Sequence, residues 1–274
     1  MTLKSVALAS TVALLAAAPL HAQQDADKTA VVQAVLDYAE GYYGGEPARM
    51  ARAVSPSLSK RSLSVVADGT SFLSQMNADT LIDASNGVKL AAAERKITTE
   101  VLEISGDVAS ARVFTVQFND YLHLARRNGA WQIINVLWHQ PPSAPSAPTA
   151  KAAVEQAVRD YGAALLAGDG RRATAVVHPL ANLRTFSQPP NGRPRVVREL
   201  NAESLAAGLT AGRVKFAAKP EETTVVVQGV DVDIAAAKLV MANMTTYVHL
   251  ALQDGKWRVV NALSYTPAPA SSSR

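Results

Sequence analysis

The chain has 274 residues, 27 Lys and Arg against 23 Asp and Glu, and a formal net charge of +4. So even a balance, with no cluster of basic residues interleaved with aromatics, argues against a nucleic-acid partner. It contains no Cys, which excludes disulfides, thiol chemistry, thiolate metal sites and a lipid-modified cysteine.

Residues 1–22 carry Lys4, an apolar run from Val6 to Leu20 and the closing Leu20-His21-Ala22. This pattern predicts a signal peptide cut after Ala22 and an exported chain, periplasmic or secreted. The run is too short to span a bilayer comfortably, so no stable membrane insertion is expected once it is removed. Val31, Val35, Tyr38 and Tyr42 then recur at i, i+4, i+7 and i+11, one stripe of a helix that stops at Gly44-Gly45. A short second helix is expected to end before Pro56, and a third starts at Asn77-Ala-Asp79-Thr-Leu81. The β-branched stretches 97–104, 108–124 and 131–137 read as an antiparallel meander, with Asn128-Gly129 marking a hairpin.

The series then starts again. Val154, Val158, Tyr161 and Leu165 repeat the helical stripe, Gly168-Asp-Gly170 the stop, and Asn201-Ala-Glu203-Ser-Leu205 the third helix. At a constant offset of 123, 11 of the 33 positions from Val31 to Leu63 are identical. At an offset of 126, Tyr121, His123, Leu124, Ala125, Gly129, Trp131, Asn135 and Leu137 match Tyr247, His249, Leu250, Ala251, Gly255, Trp257, Asn261 and Leu263. One unit has been duplicated, with repeat 1 over 28–140, a Pro/Ala/Ser linker over 141–150, repeat 2 over 151–266 and a tail over 267–274. The fold class is α+β: two tandem units, each of three helices and an antiparallel sheet.

Helix with a Tyr seven residues before a Gly, two further helices, and a meander ending in Tyr-x-x-Leu-x(4)-Gly-x-Trp resemble the nuclear transport factor 2-like superfamily, and within it the "putative lumazine-binding" family. The resemblance covers residues 29–139 and 153–265. It implies two open cones, each a sheet wrapped round helices, and pairing through the outer sheet face, either as a pseudo-dimer within one chain or as a homodimer. Ketosteroid isomerase shares that cone. Its oxyanion tyrosine is matched by Tyr38 and Tyr161, but its aspartate base falls on Ser62 and Thr185, and a hydroxyl without an activating base is too weak to replace it. Its second oxyanion acid falls on Tyr121 and Tyr247, and its pocket tryptophan is kept as Trp138 but is Ser264 in repeat 2.

Period-2 alternation puts Tyr121 with His123, and Tyr247 with His249, on one strand face each. If that face is concave, Tyr38, Tyr121, His123 and Trp138 would form a ligand pocket in the first cone, and Tyr161, Tyr247 and His249 one in the second. The competing reading makes them amphipathic side chains that satisfy their polar tips within a packed cone. Arg184, Arg193, Arg195 and Arg198 gather near an expanded hairpin of repeat 2 and offer a rim for an anion, against the simpler reading of a solvated loop. His123, His139, His178 and His249 show no metal-ligand spacing, so neither a metal nor a cofactor is expected. The leading functional reading is non-catalytic binding of a small, largely apolar molecule or a protein partner. The alternatives are an isomerase, dehydratase or hydrolase using His and Tyr in the cone, and a structural assembly module.

Overall fold

The computed structural model describes residues 11–65, 71–140, 146–187, 195–216 and 218–267; the side chains of 11–21, 65, 195 and 197 lie outside the description. Helices α1 (Thr11–Gly44) and α2 (Pro47–Ala53) lead into strands β1 (Val54–Val65) and β2 (Ser71–Met76), then α3 (Ala78–Ser85). Four strands follow: β3 (Thr98–Ser105), β4 (Val108–Phe114), β5 (Asn119–Arg127) and β6 (Ala130–His139). Repeat 2 has the same series: α4 (Ala150–Ala167), α5 (Gly170–Val176), β7 (Val177–Ser187), β8 (Arg195–Leu200), α6 (Ala202–Thr210), β9 (Thr223–Asp231), β10 (Ile234–Met241), β11 (Met244–Gln253) and β12 (Lys256–Thr266). α1 runs unbroken through the expected cleavage point after Ala22. Among the described residues no helix is long and apolar enough to cross a membrane.

The helix boundaries follow local chemistry. Gly45 and Gly168 take the left-handed conformation that ends the first helix of each repeat, at φ +65° and +64°. Asn77 and Asn201 cap α3 and α6 by accepting the Thr80 and Ser204 backbone N–H groups at 2.9 and 2.8 Å.

Each sheet has six strands, ordered β2-β1-β6-β5-β4-β3 and β8-β7-β12-β11-β10-β9. The two α+β units are as expected, but the sheets are mixed, because β1 runs parallel to β6 and β7 parallel to β12. The β1–β2 hairpin enters between the second and third helices. Its residues 54–65 mix Pro56 with five serines, Lys60 and Arg61, a composition that does not read as a strand. The run 108–124 divides into β4 and β5 around residues 115–118.

The concave face of each sheet closes on its own helices. Leu122, Leu124, Ile133 and Val136 pack with Val31, Val35 and Leu81 in repeat 1, and Val248, Leu250, Val259 and Ala262 with Val154, Val158 and Leu205 in repeat 2. The convex faces pack on each other. Tyr121 and Leu137 of repeat 1 bury against Ile234 and Val260 of repeat 2, while Val108 and Ile134, the counterparts of Ile234 and Val260, bury against Tyr247 and Leu263, the counterparts of Tyr121 and Leu137. This reciprocal pattern is that of a two-fold dimer interface built within one chain.

Candidate functional site

Alternation along β5 decides what enters the first cone. Leu122 and Leu124 face the helices, so Asp120 does too, and Tyr121 and His123 point the opposite way into the inter-repeat interface. The same holds for Tyr247 and His249. The placement of these four residues in cones is therefore corrected: a shift of one residue along a strand changes the face.

At the centre of the interface the His123 and His249 rings stack with centroids 3.6 Å apart. Asn135 and Asn261 each donate an amide N–H to a histidine Nδ1 at 3.2 Å. Their Oδ1 atoms accept from guanidinium groups of the other repeat: Arg184 to Asn135 at 2.7 Å, and Arg61 to Asn261. Burial holds both histidines neutral, with that of His123 lowered to about 3, aided by the Arg184 charge, and that of His249 well below its ordinary value. Burial also raises Tyr121 to about 12, and raises Tyr247. These groups are poor proton carriers near neutral pH, and none of the four lines the cavity of either cone. Arg184 contributes to the wall of the second cone, but its guanidinium is engaged at the interface, where it also donates to the Ile134 and Ser57 carbonyls, both at 2.6 Å. Arg193 lies outside the described residues, as does the Arg195 side chain; Arg198 is exposed on β8 beside the second cone.

The first cone keeps an unfilled cavity. About 610 Å³ of empty space, counted out to its mouth, is walled by Tyr38, Tyr42, Tyr43, Phe118, Trp138 and Leu81 among others. Lys60 and Asp120 supply its charge. Tyr38 donates to Asp120 Oδ2 at 2.5 Å, and Lys60 Nζ donates to the Tyr38 hydroxyl at 2.6 Å and to Asp120 Oδ2 at 3.3 Å. The ammonium also lies 4.9 Å from the Trp138 ring centroid and 5.3 Å from that of Tyr38. Burial, together with the Asp120 charge, raises Tyr38 well above the ordinary phenol value; burial lowers Lys60, opposed by that same carboxylate. Asp120 is 3 % exposed, and its Oδ1 has no hydrogen-bond partner.

Of the residues singled out in the sequence, this cavity brings together Tyr38 and Trp138. Lys60 and Asp120 were missed, although a signal existed: their counterparts in repeat 2 are Leu183 and Thr246. Asp37 and Asp160, which precede the helix tyrosines, bind Arg49 at 2.8 Å and Arg172 at 3.4 Å and tie α1 to α2 and α4 to α5. The described residues hold no group of three or more His, Asp or Glu suited to a metal ion.

The family model described as "Putative lumazine-binding" matches residues 26–139 and again residues 149–265. The chain belongs to this family, twice over. Three solved structures to which it is similar each match less than half of the chain. An NTF2-like protein of unknown function from Shewanella baltica is 23% identical, with a TM-score of 0.36, over 43% of this chain and 95% of its own. An NTF-2 like protein of unknown function from Silicibacter pomeroyi is 18% identical, with a TM-score of 0.36, over 43% and 98%. A ketosteroid isomerase-like protein from Erwinia carotovora atroseptica is 13% identical, with a TM-score of 0.32, over 45% and 100%. No curated protein matches the chain.

Proposed function

We propose that this is an exported binding protein whose first cone takes a small, flat, largely apolar molecule bearing one hydrogen-bond donor. The observation that carries the reading is the free Oδ1 of Asp120, buried in the wall of an aromatic cavity. A buried acceptor left unpaired costs about 1–3 kcal/mol, a penalty that a donor on the ligand removes. The neighbouring ion pair supports the same reading, because a buried pair is a weak source of stability and repeat 2 builds its cone without one. Tyr42, Phe118 and Trp138 offer aromatic surfaces to a flat ring system.

Native mass spectrometry of the protein purified from the compartment in which it accumulates tests this. A bound small molecule, released on denaturation and lost in Asp120→Asn, is the expected outcome. An apo mass in both proteins, with no quenching of Trp138 fluorescence by any member of an aromatic ligand panel, would refute it.

The Lys60–Tyr38–Asp120 chain favours one second reading, an enzyme of the same fold in which Lys60 moves a proton through Tyr38. It replaces the histidine-based chemistry, whose residues lie between the sheets. Conversion of the released ligand to a product of altered connectivity, abolished by Lys60→Met with binding retained, would select it; return of the ligand unchanged would exclude it.

A further inference from the structure

The second cone has lost the charged pair, yet it is not filled. Its cavity, about 980 Å³ of empty space out to the mouth, is lined by Tyr161, Leu183, Thr185, Arg198, Lys215 and Phe216 among others. Among the described residues neither the Tyr161 nor the Thr185 hydroxyl has a hydrogen-bond partner, and Tyr161 is only 3 % exposed. Burial alone raises its pKa, consistent with a hydroxyl that nothing accepts from or donates to. Thr185 and Arg198 are directly opposed on β7 and β8, so they share one face of the sheet. Among the described residues no acid lines the cavity. Glu199, the nearest acid along β8, is one residue away on the strand and is held by Asn182 and Arg184.

We infer that the second cone is a separate site for an apolar carboxylic acid, with the carboxylate taken by the Tyr161 and Thr185 hydroxyls and by Arg198, Lys215 at the mouth, and the tail against Leu183, Leu205, Val214 and Phe216. The polarity is opposite to that of the first cone. There a buried carboxylate oxygen lacks a donor; here the hydroxyls of buried Tyr161 and half-buried Thr185 lack an acceptor, beside the exposed cations Arg198 and Lys215. A charge-assisted hydrogen bond to a carboxylate is stronger than one to a neutral oxygen, so an acid should be preferred to its alcohol.

Titration calorimetry of the full chain with decanoate, decanol and acetate tests the site. Decanoate is expected to bind one per chain, about tenfold or more tighter than decanol, with acetate weaker than either. Arg198→Gln with Lys215→Gln changes two exposed side chains and should bring decanoate down to the decanol level. Tyr161→Phe, which keeps the ring, should weaken decanoate about three- to tenfold. Equal affinities for decanoate and decanol, decanoate binding that ignores all three substitutions, or no decanoate binding at all would each overturn the inference.

Discussion

The two repeats share a backbone and differ in what they bury. Lys60, Asp120, Trp138 and Tyr42 of the first cone stand where the second has Leu183, Thr246, Ser264 and Leu165, while Tyr38 and Tyr161 are common to both. The fold therefore does not need an ion pair on the cone floor. By contrast, positions kept in both copies, Tyr121 and Tyr247, His123 and His249, Asn135 and Asn261, Arg61 and Arg184, meet across the pseudo-two-fold interface. Residues kept in both copies include those of the shared contact surface, whereas the two cones differ in the polar groups of their walls.

The largest effect should come from breaking the ion pair on one side only. Lys60→Met leaves a buried, uncompensated Asp120 and should cost about 3–5 kcal/mol in urea unfolding. Installing the repeat 2 residues together, Lys60→Leu with Asp120→Thr, should return most of that loss. If the single and double variants unfold alike, the pair is structural and the contrast between cones loses its meaning.

The interface is next. Arg184→Ala removes donors from Asn135 Oδ1 and from the Ile134 and Ser57 carbonyls, and unpaired buried acceptors make a loss of about 2–3 kcal/mol the expected result. A loss within experimental error would show that the two sheets do not depend on this network. A smaller effect, on binding, is expected from Trp138→Ser, which gives the first cone the second cone's wall. Ligand affinity should fall about tenfold, ~1.4 kcal/mol, as read by ligand-dependent thermal shift.

The smallest effect concerns pH. His139, at the end of β6, lies between Asp231 at 3.0 Å and Asp233 at 2.9 Å, on the turn of the other repeat. Burial disfavours its charge, but the hydrogen bonds and charges of the two carboxylates outweigh this and raise it to about 9. A folded-state value above the unfolded one of 6.5 means that its stabilisation is complete below about pH 6.5 and is lost as pH rises to about 9. His123 and His249 act in the other direction: depressed in the fold, they stabilise above about pH 6.5 and lose that contribution as the solution becomes more acid. Melting temperature should accordingly peak near neutrality. His139→Gln should flatten the alkaline limb alone, and an unchanged alkaline limb would remove the clamp.

Much of the fold was legible in the sequence because the duplication showed each signal twice: the helical stripe through Val31 and Val154, the glycine stops at Gly45 and Gly168, and the hairpin before Trp131 and Trp257. Strands β1 and β7 were not, since both their faces carry polar groups, one set for the cone and one for the interface, which erases the usual alternation. In the first cavity, Tyr38 and Trp138 were legible through the resemblance to the isomerase pattern. Asp120, and not Tyr121, enters the first cone, because one residue along a strand reverses the face, and nothing local fixes which face is concave. Lys60 was hidden in a serine-rich segment that reads as loop, although its exchange for Leu183 was open to view.

If Lys60 and Asp120 serve a ligand and not the fold, native mass spectrometry and urea unfolding of the same Lys60→Leu, Asp120→Thr protein should show a folded chain within about 1 kcal/mol of the parent or more stable than it, with the bound small molecule gone. A double variant that keeps the ligand, or that fails to fold, would contradict that role.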